Sequence, residues 1–238
     1  MKWSKITDTG KVRQNNEDSF LVCEKLKLFA VADGMGGHNA GEIASQLALK
    51  VLEEVLRDIQ NAVEEPSYRL KKAVQAANSK IFALSQNNST YRGMGTTITA
   101  CWLVEKELFI AHVGDSRALM ISNGIITQLT EDHSFVQKLI NDGEITKEEA
   151  RVHPRRNIIT RALGTESTVE VDLYYQVVKS GDFILVCTDG LTNYLLSREI
   201  QDMLLIAPDL DKGLQTLLML ALERGGHDNI TAVLVEIE

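Results

Sequence analysis

Between residues 96 and 129 four apolar runs rich in β-branched and aromatic residues follow one another almost without a break: TTITACWLV, ELFIAHV, RALMI and IITQL. Connections as short as EK (105–106) and SNG (122–124) separate them. Turns of two or three residues join antiparallel neighbours, because a parallel pair needs a crossover of a dozen residues or more. The middle of the chain is therefore read as antiparallel meanders, and this reading limits the fold more than any other feature.

Helical periodicity lies on either side of that region. From Ala40 to about Val63 the residues Ile43, Ala44, Leu47, Ala48, Val51, Leu52, Val55, Leu56 and Ile59 keep the i, i+3, i+4 spacing of one apolar face. A second helix is expected after Pro66, which suits a first helical turn, with Leu70, Ala73, Val74, Ala77, Ile81 and Leu84 on its stripe. Early strands are read at FLVC (20–23) and KLFAVA (27–32), and later ones at 169–178 and 183–187. Two more helices follow near 197–206 and 210–224, and NITAVLVEI closes the chain as a strand. Helices that come in pairs, apart from the strands, do not alternate as a parallel βαβ fold requires. The expectation is an α+β chain with antiparallel sheets packed on each other and helix pairs outside. No linker or repeat interrupts the 238 residues, so they are read as one domain. From Thr130 to Gly164 the pattern turns polar, weakly helical and basic, with Gly143 as a hinge and Arg151, Arg155, Arg156 and Arg161 as a cationic cluster that steers anions.

Aspartates recur at the ends of these strands. FAVADG stops on Asp33, FIAHVGD on Asp115 and FILVCTDG on Asp189, while Asp228 directly precedes the last strand and Asp18 precedes FLVC. A single Asp-Gly pair is an ordinary turn. Five carboxylates at strand ends are different, because converging like charges repel and raise one another's pKa. Divalent cations between them relieve that repulsion, and an all-oxygen donor set favours Mg²⁺ or Mn²⁺ over Zn²⁺. The glycines are read as letting the backbone bend so that Asp33 and its neighbour's carbonyl reach metal. Two ions about 3.5–4 Å apart activate a bridging water for phosphoryl displacement. Arg13, five residues before Asp18, has the planar fork that grips two phosphate oxygens.

The ordered set RQNNED, VADGMGGHNAGEIAS, GMGTT, HVGDSRA, LTEDHS, HPRRNIITRALG, CTDGL and GHDNIT resembles the metal-dependent protein phosphatases of type 2C in their compact bacterial form. The resemblance runs from Arg13 to about Val233. It implies a four-layer α-β-β-α sandwich, with two central antiparallel sheets flanked by helix pairs. It also implies hydrolysis of phosphoserine and phosphothreonine in proteins by a metal-bridging water or hydroxide. Two core Mn²⁺ or Mg²⁺ ions and a third, weaker one are implied as cofactors. By the same resemblance Asp33 bridges the two core metals, and Gly34 offers its carbonyl directly or through water. Asp189 and Asp228 complete the first site, Glu17 and Asp18 hold metal waters, and Asp115 with Asp189 holds the third ion. Arg13 binds phosphate, and 130–164 is a flap. Animal-type members carry histidine where this chain has Met35, whose thioether cannot protonate a leaving alcohol, so His38 or a metal-bound water is the candidate acid.

Other readings fit less well. DTG (8–10) has no second such signature for an aspartic protease, and TGKV lacks the upstream glycine and following hydroxyl of a P-loop. His112 is read as a packed strand residue, and Trp3 and Trp102 as core or interface aromatics. A binding module that has lost catalysis would lack some of the carboxylates. A phosphatase of small esters would share the same site. A net charge of −8 argues against nucleic acid. No apolar run reaches the roughly 18 residues of a membrane span, and no signal peptide opens the chain. Cys23, Cys101 and Cys187 all lie in apolar runs, the pattern of reduced thiols in a cytoplasmic protein. The expected partners are phosphorylated proteins, among them Ser/Thr kinases and their targets, met by a monomer.

Overall fold

The computed structural model describes residues 1–36, 40–58 and 64–238. Among them are eleven strands and seven α-helices: β1 (Lys2–Asp8), β2 (Asp18–Cys23), β3 (Leu28–Met35), α1 (Ala40–Asp58), α2 (Pro66–Asn87), β4 (Gly95–Thr96), β5 (Ile98–Val104), β6 (Glu107–Val113), β7 (Arg117–Ser122), β8 (Ile125–Gln128), α3 (Phe135–Asn141), α4 (Lys147–Val152), β9 (Asp172–Val177), β10 (Phe183–Cys187), α5 (Asp189–Thr192), α6 (Ser197–Ile206), α7 (Leu210–Glu223) and β11 (Ile230–Glu236). One sheet has the order β1-β11-β10-β7-β8, the other β2-β3-β5-β6-β9 with β4 beside β3, and every pairing is antiparallel.

Three apolar layers hold the stack together. Alternation along β3 and β5 sends Phe29, Val31 and Cys101 inward to meet Ile184, Val186, Val233 and Val235 of the opposite sheet. Leu28, Ala30, Ala100 and Trp102 point outward beneath Leu52, Leu56, Leu70, Val74 and Ile81 of the α1/α2 pair. On the far side Leu119, Leu185 and Leu234 lie under Ile200, Leu214 and Leu217 of the α6/α7 pair. Each fully buried aliphatic side chain is worth ~1.5–3 kcal/mol. The result is the four-layer α-β-β-α sandwich.

The structure corrects several sequence expectations. β3 does not stop on Asp33 but continues through Gly34 to Met35, paired with Thr96 and Gly95 of β4. Asp18 is the first residue of β2 rather than its neighbour. The 96–104 run is two strands, broken at Thr97, whose hydroxyl accepts from Asp33 N–H at 2.9 Å. β1 pairs with β11 from Lys2 to Asp8 and had no counterpart in the sequence reading. The expected end of the first helix, 59–63, lies outside the described residues, as does His38. The 130–164 segment contains α3, capped by Ser134, and α4, which opens on a Thr146–Glu149 capping box. All three cysteines are buried free thiols, and His112 is fully buried in β6. No helix among the described residues is long and apolar enough to cross a membrane.

Candidate active site

The antiparallel register brings the carboxylates to one end of the sandwich. Asp18 and Asp33 face each other directly across β2 and β3, so their side chains share a face, a placement that is unfavourable for two like charges. Asp115 follows the end of β6, Asp189 follows β10, and Asp228 stands just before β11. Glycines let the backbones meet here. A Cβ on Gly34 would lie 2.1 Å from the carbonyl oxygen of Gly41 on α1, and one on Gly190 would lie 1.9 Å from that of Asn229. Gly34 is extended within β3. Its role is therefore close approach to α1, and the expected backbone bend comes two residues later, at Gly36.

Arg13, Glu17, Asp33, Gly34, Asp115, Asp189 and Asp228 all line one cleft of about 500 Å³, with Met35 on its wall. Asp18 is not part of that lining. It lies beneath the cleft and crosses between the sheets, its Oδ2 accepting from Thr188 Oγ1 at 2.8 Å. Arg13 reaches the cleft because Asn229 stitches down its loop: Asn229 Nδ2 donates to the carbonyls of Thr9 and Asn15, both at 2.9 Å, and its Oδ1 accepts from Glu17 N–H at 2.8 Å. Arg13 Nη2 then donates to Asp228 Oδ2 at 2.9 Å, while the side chain stays 52% exposed and open to a ligand. Sequence reasoning missed Asn229 and Thr188, whose only signals were their places beside Asp228 and Asp189. It also missed Asn157, Thr160 and Thr165, which line the cleft from the segment after α4 beside Arg161, a member of the expected cationic cluster.

The electrostatics suit a cation. Asp18 Oδ1, Asp115 Oδ1 and Asp189 Oδ1 are buried and accept no hydrogen bond, although orphaned acceptors of this kind are rare and costly. Burial, followed by the charges of Asp18, Asp189, Asp115 and Asp228, holds the Asp33 carboxyl well above its ordinary range. Burial pushes Asp18 up to about 7 and, together with Asp228, pushes Asp189 to about 6. Asp115 is raised by burial and by Asp189, and Glu17 by burial. Divalent ions would supply the missing countercharge and ligate the orphaned oxygens. Among the described residues no three acidic, histidine or cysteine side chains form a ready-made ligand cage. Carboxylates spread around an open cleft match a hard ion that keeps several of its waters.

The protein phosphatase 2C family matches residues 9–219. The serine/threonine phosphatase stp of Listeria innocua is 40% identical over 235 residues, 97% of this chain and 93% of that protein. The crystal structure of the Mycobacterium tuberculosis serine/threonine phosphatase PstP/Ppp superposes with a TM-score of 0.93 at 40% identity, covering 100% of this chain and 98% of the other. A structure of the PstP catalytic domain in complex with two manganese ions has a TM-score of 0.89 at 39% identity, covering 99% and 97%.

Proposed function

The chain belongs to the protein phosphatase 2C family, and from that membership and the carboxylates of its cleft we propose that it is a metal-dependent serine/threonine protein phosphatase. One observation carries the metal dependence: Asp18 and Asp33 oppose each other in register while the Oδ1 atoms of Asp18, Asp115 and Asp189 are buried with no donor. Asp33, Asp189, Asp228 and the Gly34 carbonyl would hold two core Mn²⁺ or Mg²⁺ ions, with Glu17 and Asp18 placed to hold their waters, and Asp115 with Asp189 would hold a third. The relative solved with two manganese ions supports that count for the core pair. Once bound, the ions supply an activated water and charge stabilisation at the phosphoryl oxygens.

The chain's own residues position the substrate. Arg13 is anchored by one nitrogen on Asp228, which leaves the rest of its fork for phosphate oxygens. Met35 stands on the cleft wall and has no proton to give, so the leaving alcohol takes its proton from another donor. The segment 130–164 serves as a flap over the cleft, which it lines with Asn157, Thr160 and Arg161. Substrates are phosphorylated proteins, among them Ser/Thr kinases and their targets. Three free buried thiols support a reducing, cytoplasmic setting for a monomeric enzyme.

The test is turnover of a phosphothreonine peptide by wild type and by Asp33→Asn across a Mn²⁺ titration. Removing the carboxylate that both cations share should lower kcat by several orders of magnitude. In metal-free buffer the same variant should melt higher than wild type, because it relieves the Asp18–Asp33 opposition. Near-normal turnover of Asp33→Asn at saturating Mn²⁺ would refute the assignment.

A further inference from the structure

Behind the candidate active site, between α3/α4 and the start of α6, lies a second cavity of about 390 Å³. It shares Asp115 and Asp189 with the main cleft as a common wall. Its remaining charges divide into two kinds. Arg117 is committed to Asp132, with Nε to Oδ1 at 2.9 Å and Nη2 to Oδ2 at 2.5 Å, and Glu131 accepts from Asn141 Nδ2 at 2.7 Å. Lys147, Arg151 and Arg156 also line the cavity, yet among the described residues none of the three has a carboxylate within 4.0 Å. Lys147 and Arg151 stand one turn apart on the same face of α4, where like charges repel in the absence of an anion. Burial, with the nearby Arg117 and Arg224 outweighing the opposing charge of Glu199, holds the Arg151 guanidinium below its ordinary pKa.

The other arginines of the segment are already engaged. Arg155 lies over the Phe135 ring at 4.2 Å, and Arg161 is held by Asp172 and by Glu170 at 3.3 Å. Glu149 turns back to Thr146 as the helix cap and neutralises none of the three free cations. The four arginines expected from the sequence thus separate into two structural ones, Arg155 and Arg161, and two, Arg151 and Arg156, that join Lys147 around the cavity with no ion pair among the described residues.

We propose that this cavity is a second anion subsite, which takes a second phosphoryl group of the same substrate chain while the first lies in the metal cleft. The inference rests on the phosphatase reading and specifies its substrate class as multiply phosphorylated segments. A phosphoryl group carries close to two charges and three acceptor oxygens, enough to engage Lys147, Arg151 and Arg156 together. The shared Asp115–Asp189 wall keeps the two sites within reach of one short peptide. Carboxylate side chains offer the same chemistry more weakly, with one charge.

The test uses phosphothreonine peptides in three sets. One has alanine flanks, one has a second phosphothreonine placed in turn two to five residues away on either side, and one has glutamate at those positions. Wild type in Mn²⁺ should show, for at least one spacing, about a tenfold higher kcat/KM on the doubly phosphorylated peptide. The gain should shrink as salt rises, since open charges are screened within about 8 Å at physiological ionic strength. Arg151→Ala combined with Arg156→Ala should erase that gain and leave the singly phosphorylated peptide unchanged. A gain that survives in the double variant, or no spacing with more than a twofold gain, overturns the subsite. Glutamate as effective as phosphothreonine overturns its assignment to a phosphoryl group. No turnover of any peptide would instead overturn the phosphatase reading, so the two failures are distinguishable.

Discussion

His133 ties the base of the 130–164 segment to the strand end that carries Asp115. Its backbone N–H donates to the Gly114 carbonyl at 2.7 Å, and its Nδ1 accepts from Gly114 N–H at 3.0 Å. Nδ1 must therefore be unprotonated, so the ring proton lies on Nε2 and is donated to Asp172 Oδ2 at 3.1 Å. Burial first, and Arg161 after it, lower the imidazole's pKa and keep this tautomer neutral. Replacing His133 with leucine leaves the buried Gly114 N–H without an acceptor, which costs ~1–3 kcal/mol. The lost contact to Asp172 adds less, ~0.5–1 kcal/mol, because Arg161 still pairs with that half-exposed carboxylate. Asparagine places an oxygen where Nδ1 was and should restore the larger share. Urea unfolding should thus rank wild type, His133→Asn and His133→Leu in falling order, with the two variants ~1–3 kcal/mol apart. Hydrogen exchange at Gly114 should accelerate only in the leucine variant. Equal stability of the two variants within ~0.5 kcal/mol would refute the hydrogen-bond argument.

Two further outcomes follow from the same geometry. Arg13→Lys keeps the charge but not the fork, so kcat/KM on phosphopeptides should fall about tenfold, the ~1.4 kcal/mol of one charge-assisted bond. Calorimetric Mn²⁺ binding should be unchanged, and a variant with wild-type kcat/KM would make Arg13 a surface residue. Burial pushes the His112 imidazole from its usual 6.5 down to about 4. Its neutral form thus contributes stability that is present above pH 6.5 and lost as the pH falls toward 4. The loss is ~3 kcal/mol relative to His112→Gln at the lower end, and chemical denaturation of both proteins at several pH values checks it.

Some of this was legible because it is local. Periods of 3.6 and 2 located both helix pairs and most strands, since an amphipathic element must repeat its apolar face whatever it packs against. Short turns implied antiparallel neighbours for the same reason, which holds for β5–β6 and β7–β8, whereas the equally short 114–116 connection carries the chain from one sheet to the other, so β6 and β7 do not pair. Other features were illegible because they depend on distant partners. β1 reads as a mixed polar stretch, and it is a strand only because β11 pairs with it more than 220 residues later. Thr97 breaks a continuous β-branched run because Asp33 needs its hydroxyl. The glycines after Asp33 suggested a bend, which falls at Gly36, whereas Gly34 stays extended and is glycine because α1 leaves no room for a side chain there.

The candidate site divides in the same way. Sequence alone determined which groups carry chemistry: carboxylates at strand ends, an arginine before β2 and a basic stretch after β8. Composition and spacing reveal such groups wherever they come to lie. Tertiary structure alone decided which of them act together. Register set Asp18 against Asp33, and the packing of the two sheets put Asp18 under the cleft, bonded to Thr188. The fold of the 130–164 segment spent Arg155 on Phe135 and Arg161 on Asp172, leaving Arg151 and Arg156 over a cavity. Whether a charge is neutralised depends on what lies within a few ångströms of it, and chain order does not encode that distance.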